Sequence, residues 1–348
     1  MLKLRIAAAV LAISGLAPAL EASSALPKVH LLGTGGTIAG GRERSLSAKD
    51  LAELIPDLER VAEVSVEDYS SIGSSRMTPE LQFRLASRVR AILEERPDLA
   101  GIVVTHGTDS LEETAFLVDL LVPAGRPVVF AAAQRPPRQV DTDGPRNLGN
   151  AVRIAASSDM RGLGVLVTLN DEIHAARDVR KTHAVALNAF ASLSQGPIGQ
   201  VDSGRVYLYA RPVRRLTLAA ERIEPGVELV TLYPGSDGSQ ILAAAEAGKR
   251  GIVVEVFGRG NAPPGVMEAV GAAREKGVVV VFTTRTGGGR VELSEEATRA
   301  GVISGEDVDG LKARVLLTVA LGAGADLDAL REYFRRLSGE LPLPKETN

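Results

Sequence analysis

Two short runs carry hydroxyls in settings suited to chemistry. Thr37 lies in Gly33-Thr34-Gly35-Gly36-Thr37-Ile38-Ala39-Gly40-Gly41, and Thr108 in Thr105-His106-Gly107-Thr108-Asp109-Ser110-Leu111-Glu112-Glu113-Thr114. A hydroxyl attacks well only when a base takes its proton. Asp109 adjoins Thr108, and Lys181 lies further along in 170–182, and both are of the right type. Five glycines in nine residues let the first run approach a small ligand and expose N–H donors, although the same run also reads as a plain structural turn. Ile38 fills the third glycine position of G-x-G-x-x-G, which disfavours a dinucleotide loop. Alternatives stay open for the other groups too. Asp109 reads equally as a helix N-cap, Lys181 as a solvated surface charge, and His106 as a structural hydrogen-bonding residue.

Other chemistries are poorly supplied. The chain has no cysteine, which excludes thiol nucleophiles, disulfides, thiolate zinc sites and iron–sulfur clusters. Its four histidines, at 30, 106, 174 and 183, lack metal-ligand spacing, and neither H-E-x-x-H, G-x-S-x-G nor a P-loop occurs. A threonine hydroxyl served by Lys and Asp is the best nucleophile left. No cofactor and no metal are expected.

Those groups need elements to hold them. Apolar, β-branched runs at 29–32, 64–69, 101–105, 127–133, 164–169, 227–233, 251–257 and 277–284 read as strands, several of them buried on both faces. Helix signals occupy 79–95, 111–121, 147–156, 239–247 and 307–321. The alternation predicts an α/β fold: a larger N-terminal domain with a mainly parallel sheet flanked by helices, and a smaller C-terminal α/β domain. In such sheets ligands bind beyond the carboxyl ends of the strands, where Thr37, Thr108 and Lys181 all fall. Ser110 and Glu113 have capping-box spacing, which predicts a helix start near Leu111.

Residues 1–25 read as a signal peptide: Lys3 and Arg5 precede an apolar run at 6–16, then small residues suit cleavage. The expected layout is 1–25 leader, 26–210 N-terminal catalytic domain, 211–226 an Arg-rich linker and 227–348 C-terminal domain, with a periplasmic or secreted product. No membrane anchor is expected after processing. A net charge of -3 and 3% aromatic residues provide neither a basic field nor stacking platforms, so nucleic acid is not an expected partner.

In order and spacing, GTGGTIAGG, SIGSSRMTPE, THGTDSLEET, AAAQRPP with DGPRNLGNA, and LNDEIHAARDVRKT resemble the bacterial type II, exported L-asparaginases and glutaminase-asparaginases. VFGRGNAP and ISGEDVDGLKARVLL extend the similarity, more weakly, into the C-terminal half. The resemblance implies hydrolysis of L-asparagine, a small amino-acid amide, to aspartate and ammonia through a threonine-linked acyl-enzyme, in a homotetramer built as a dimer of dimers. It implies that Thr37 is the nucleophile and that Thr108, Asp109 and Lys181 handle protons and activate water. It also implies that Ser74 holds the substrate α-carboxylate, that Asp109 holds the α-ammonium, which Ser75 in place of the family's Gln holds less firmly, and that Asn261 and Glu292 reach in from a neighbouring subunit.

Two departures stand out. Ser75 occupies a position where the family often has Gln, and the lid segment 42–50 is short and lacks the usual Tyr. These leave room for a glutaminase-asparaginase with altered preference, or for a catalytically impaired amino-acid-binding relative.

Overall fold

The computed structural model describes residues 25–40 and 46–341. The expected leader thus lies outside the described residues except at Ala25, as do residues 42–45 of the lid segment.

Along the first part of the chain run β1 (Lys28–Gly33), α1 (Ala48–Glu53), β2 (Glu63–Asp68), α2 (Pro79–Glu95), β3 (Leu99–Thr105), α3 (Leu111–Leu121), β4 (Val128–Ala131) and α4 (Gly144–Ala156). They are followed by β5 (Val165–Leu169), β6 (Glu172–Ala175), β7 (Arg180–Lys181), β8 (Phe190–Ala191), β9 (Gly199–Asp202) and β10 (Arg205–Leu208). Eight strands form one sheet in the order β10-β9-β6-β5-β4-β3-β1-β2, while β7 and β8 make a separate hairpin. From β2 to β5 the pairing is parallel. It turns antiparallel at β5–β6 and stays so to the β10 edge.

The second part contains β11 (Val227–Thr231), α5 (Ser239–Glu246), β12 (Gly251–Val256), α6 (Pro264–Glu275), β13 (Val279–Thr284), α7 (Glu295–Arg299), β14 (Ile303–Ser304), α8 (Gly310–Gly322) and α9 (Leu327–Ser338). Its four strands pair in parallel in chain order. The fold is the expected one, a larger mainly parallel α/β domain followed by a smaller one.

The core explains the layering. Strands β1, β3, β4 and β5 are buried along almost their whole length, as strands covered on both faces must be. One face of the large sheet packs under α1 and α4. The other packs under α2 and α3, and that cluster continues through α8 into the small sheet. Helix α3 is buried all round, with even Glu112, Thr114 and Asp119 out of solvent, the pattern of a helix sheathed on every side.

Residues 209–226 contain neither helix nor strand. They are nevertheless firmly packed: Leu216, Leu218 and Ala220 are buried, and the Leu218 amide donates to the Leu120 carbonyl. Arg214 belongs to a closed ring of charges. Arg177 bonds Asp178 at 3.0 Å and Asp307 at 2.6 Å, and Arg214 bonds the same two carboxylates at 2.6 Å each. The ring joins the large domain, the connection and the small domain, with every charge paired as burial demands.

Two local expectations need correction. Helix α8 begins at Gly310 rather than at 307, because the Asp309 carboxylate caps it by accepting the Lys312 amide. Helix α3 does begin at Leu111, but Ser110 makes no side-chain cap; its hydroxyl donates instead to the Ser74 carbonyl at 2.7 Å.

Candidate active site

The parallel pairing brings the ends of β1 and β3 level, with Gly33 opposite Thr105. Immediately beyond, the Thr34 hydroxyl donates to the Thr105 carbonyl at 2.6 Å, and Thr34 is 1% exposed. Thr34 is therefore consumed in tying two strand ends together, and of the two threonines in the first loop only Thr37, half-buried at the start of a 3-10 turn, faces outward.

The two hydroxyl-bearing turns meet through their glycines. Gly36 has φ 85°, and a Cβ there would lie 2.5 Å from the Gly107 Cα. A Cβ on Gly107 would in turn lie 2.5 Å from the Ser74 hydroxyl. Only glycine permits this approach, and so the segments bearing Thr37, Ser74 and Thr108 converge on one place.

Around Thr108 the polar contacts are specific. Lys181, on β7, places Nζ 2.8 Å from Thr108 Oγ1 and 3.1 Å from Asp109 Oδ1. Thr108 is 5% exposed, whereas the Asp109 side chain is 60% exposed. The Asp109 amide donates to Ser74 Oγ at 3.1 Å, which leaves the serine's own proton to be donated to a ligand. Thus Lys181 is a partner of the threonine and not a solvated surface charge. Asp109 keeps its carboxylate off the helix end, where it could meet a cation. Ser75 is exposed in the 3-10 turn Ser74–Arg76.

His106 is a packing residue. It is fully buried, Nδ1 donates to the Gly107 carbonyl at 2.7 Å, and Nε2 has no partner among the described residues. Burial pushes its pKa down to about 4. It is therefore neutral near pH 7.

Asn261 and Glu292 lie on the small domain, in neighbouring loops. Asn261 closes a turn by bonding Phe257 through both backbone groups, the Glu292 amide donates to the Arg259 carbonyl, and the Glu292 carboxylate pairs with Arg259 at 2.7 Å. Neither hydrogen-bonds Thr37, Ser74, Thr108, Asp109 or Lys181 among the described residues.

Residues 46–50 of the lid segment have a different character from a loop. Ser47 and Asp50 form a reciprocal capping box, and α1 starts at Ala48. Sequence reasoning also passed over Glu112, whose Oε2 accepts the Lys181 amide at 3.2 Å. Adjacent acidic residues in a first helical turn were its only signal. Among the described residues no group of three or more His, Asp or Glu is placed to hold a metal, and no helix is long and apolar enough to cross a membrane.

Residues 28–214 match the family described as asparaginase, N-terminal, and residues 226–334 match the glutaminase/asparaginase C-terminal domain. The chain is 34% identical to L-asparaginase 2 of Bacillus subtilis (strain 168) over 326 residues, covering 89% of this chain and 86% of that protein. It is 34% identical to the glutaminase-asparaginase of Pseudomonas fluorescens biotype A over 333 residues, covering 90% and 91%. The crystal structure of a probable cytoplasmic L-asparaginase from Campylobacter jejuni superposes with a TM-score of 0.83 at 34% identity, covering 88% of this chain and 99% of that one.

Proposed function

The chain belongs to the asparaginase family and is an L-asparaginase amidohydrolase, and on that premise we propose how its residues divide the work. Thr37 Oγ1 attacks the side-chain amide carbon of asparagine. The Thr37 hydroxyl proton passes to the nitrogen as the C–N bond breaks, so that ammonia leaves and an ester joins the aspartyl β-carbonyl to Thr37. Thr108, with Lys181 and Asp109, takes a proton from water; the oxygen so activated attacks the ester carbonyl, the C–O bond to Thr37 breaks, and the proton returns to Thr37 Oγ1. Backbone N–H groups at the Thr37 and Thr108 turns are the candidates for stabilising the oxyanion.

The single observation supporting this division most strongly is the 2.8 Å contact of Lys181 Nζ with Thr108 Oγ1, beside Asp109 and across the Gly36–Gly107 approach from Thr37. Substrate orientation follows: the Ser74 hydroxyl takes the α-carboxylate, and exposed Asp109 takes the α-ammonium, assisted by Ser75.

The proposal extends to a homotetramer in which Asn261 and Glu292 serve a neighbouring subunit's site. Support comes from their position on the small domain, with no bond to the Thr108 cluster among the described residues. The leader pattern supports export to the periplasm or medium, and the stretch 209–226 without helix or strand between two separate sheets supports the boundaries 26–210, 211–226 and 227–348. Ammonia release from L-asparagine, L-glutamine and D-asparagine tests the substrate reading. We expect L-asparagine to be preferred; comparable rates with L-glutamine would move the chain toward the glutaminase-asparaginases, and binding without release would leave only an amino-acid-binding relative. Activity should persist in EDTA, and light scattering that returned a monomer at full activity would overturn the shared site.

A further inference from the structure

We propose that Lys312 and Glu112 are positioning residues for Lys181, clamping β7 between α8 of the small domain and α3 of the large one so that the amine meets Thr108; this rests on the role just given to Lys181. Lys312 is fully buried. Its ammonium donates to the Val179 carbonyl at 2.5 Å and to Asp309 Oδ2 at 3.1 Å, and lies 3.8 Å from Glu112 Oε2. That same Glu112 oxygen accepts the Lys181 amide. The two side chains therefore grip one short peptide on both sides of Arg180, at Val179 O and Lys181 N.

The chemistry of the cluster favours positioning over simple adhesion. Burying an ammonium demands partners, and a buried ion pair gains little net stability over well-packed apolar residues. What it supplies here is register. Asp309 caps α8 with one oxygen and holds Lys312 with the other, so the lysine is fixed to a helix end and not to a loop. One turn of each helix repeats the pairing, with Arg314 lying 3.8 Å from Glu113. The Lys-Ala-Arg of α8 thus meets the Glu-Glu of α3, the helix that also begins at the Thr108 turn. Lys181 itself sits in a two-residue strand paired only with β8. Such a strand has little structure of its own to hold a reactive group within the roughly 1 Å that decides about 10²-fold in rate.

The test uses the full-length enzyme with Lys312→Met, Glu112→Gln and Glu112→Ala, each made alone and in a Lys181→Met background, reading kcat and KM for L-asparagine together with thermal unfolding. Lys312→Met should lower kcat roughly 10–100-fold with KM within about twofold. It should cost nothing further once Lys181 is Met, because both changes act through one group. Glu112→Gln keeps an oxygen for the Lys181 amide and should retain clearly more kcat than Glu112→Ala. An unchanged kcat in Lys312→Met, a loss confined to KM, or an equal loss in the Lys181→Met background overturns the proposal. Should Lys312→Met not fold, the Glu112 pair decides, and equal kcat for Gln and Ala overturns it. If Lys181→Met alone leaves kcat intact, it is the proton-handling reading that has failed, whatever the other variants do.

Discussion

The two threonine turns are built from similar residues and held in opposite ways. Thr108 is buried, bonded to Lys181, and followed by Asp109 and Ser110, which bond Ser74 through backbone and side chain. Thr37 is half-buried, follows two glycines with positive φ, and its hydroxyl makes no hydrogen bond among the described residues. A hydroxyl wired to an amine suits repeated proton traffic with water. One left without a partner is free to turn to a bound amide carbon, and its proton has then to be taken up from it as it attacks. Buried Thr34, one strand end earlier, is a third case, in which a carbonyl takes the hydroxyl for structure alone.

The sharpest way to break that comparison is to remove each hydroxyl. Thr37→Ala and Thr108→Val should each lower turnover by roughly 10³-fold or more, with circular dichroism unchanged. They should differ in what accumulates: Thr108→Val is expected to retain an aspartyl ester that intact-mass spectrometry detects, and Thr37→Ala to retain none. An ester in Thr37→Ala would reverse the two roles. Next in size, Lys181→Met should reduce kcat about 10²–10⁴-fold, as loss of acid–base help does, with a smaller change in KM; an effect on KM alone would show that the amine serves binding.

Gly36→Ala probes the contact between the turns. A Cβ at φ 85° against Gly107 forces them apart, so kcat should fall about 10²-fold while the melting temperature drops modestly. Wild-type kcat in this variant would show that the close approach is dispensable.

The smallest effect leaves activity aside. Because the folded pKa of His106 lies near 4 against an ordinary 6.5, the unfolded chain takes up that proton first as pH falls. The stability held in the neutral, buried ring is complete above pH 6.5 and is lost between 6.5 and 4, to about 3 kcal/mol. Urea unfolding at pH 7 and pH 4 should show that much less acid sensitivity in His106→Gln. Equal sensitivity would mean that other groups carry the acid response.

Much of this was legible in sequence because local signals agreed with tertiary ones. Helix α2 spans the 79–95 read from the sequence, and the structure adds Thr78 as its N-cap. Thr37, Thr108, Asp109 and Lys181 fall at strand ends or turns, but each also reads as a structural residue, and it is the resemblance to the asparaginases that singles them out together with Ser74. Long-range competition hid the rest. The Ser110–Glu113 spacing predicts a capping box, yet the hydroxyl has a better partner in Ser74, 36 residues away. The antiparallel extension through β9 and β10 consists of four-residue strands with half-exposed faces, too short for periodicity to declare. Lys312 and Glu112 find each other across 200 residues, and no spacing announces such a pair.

The sheathing of α3 has a consequence for the way the protein is made. A chain grows from its N-terminus, so the large domain emerges from the ribosome with one flank of α3 apolar and uncovered. Its carboxylates at 112 and 113 then wait for partners in α8, among the last helices to be translated. Until that helix arrives, β7 has Glu112 but not Lys312 to hold it. The large domain is therefore covered along α3 only once α8 has been made.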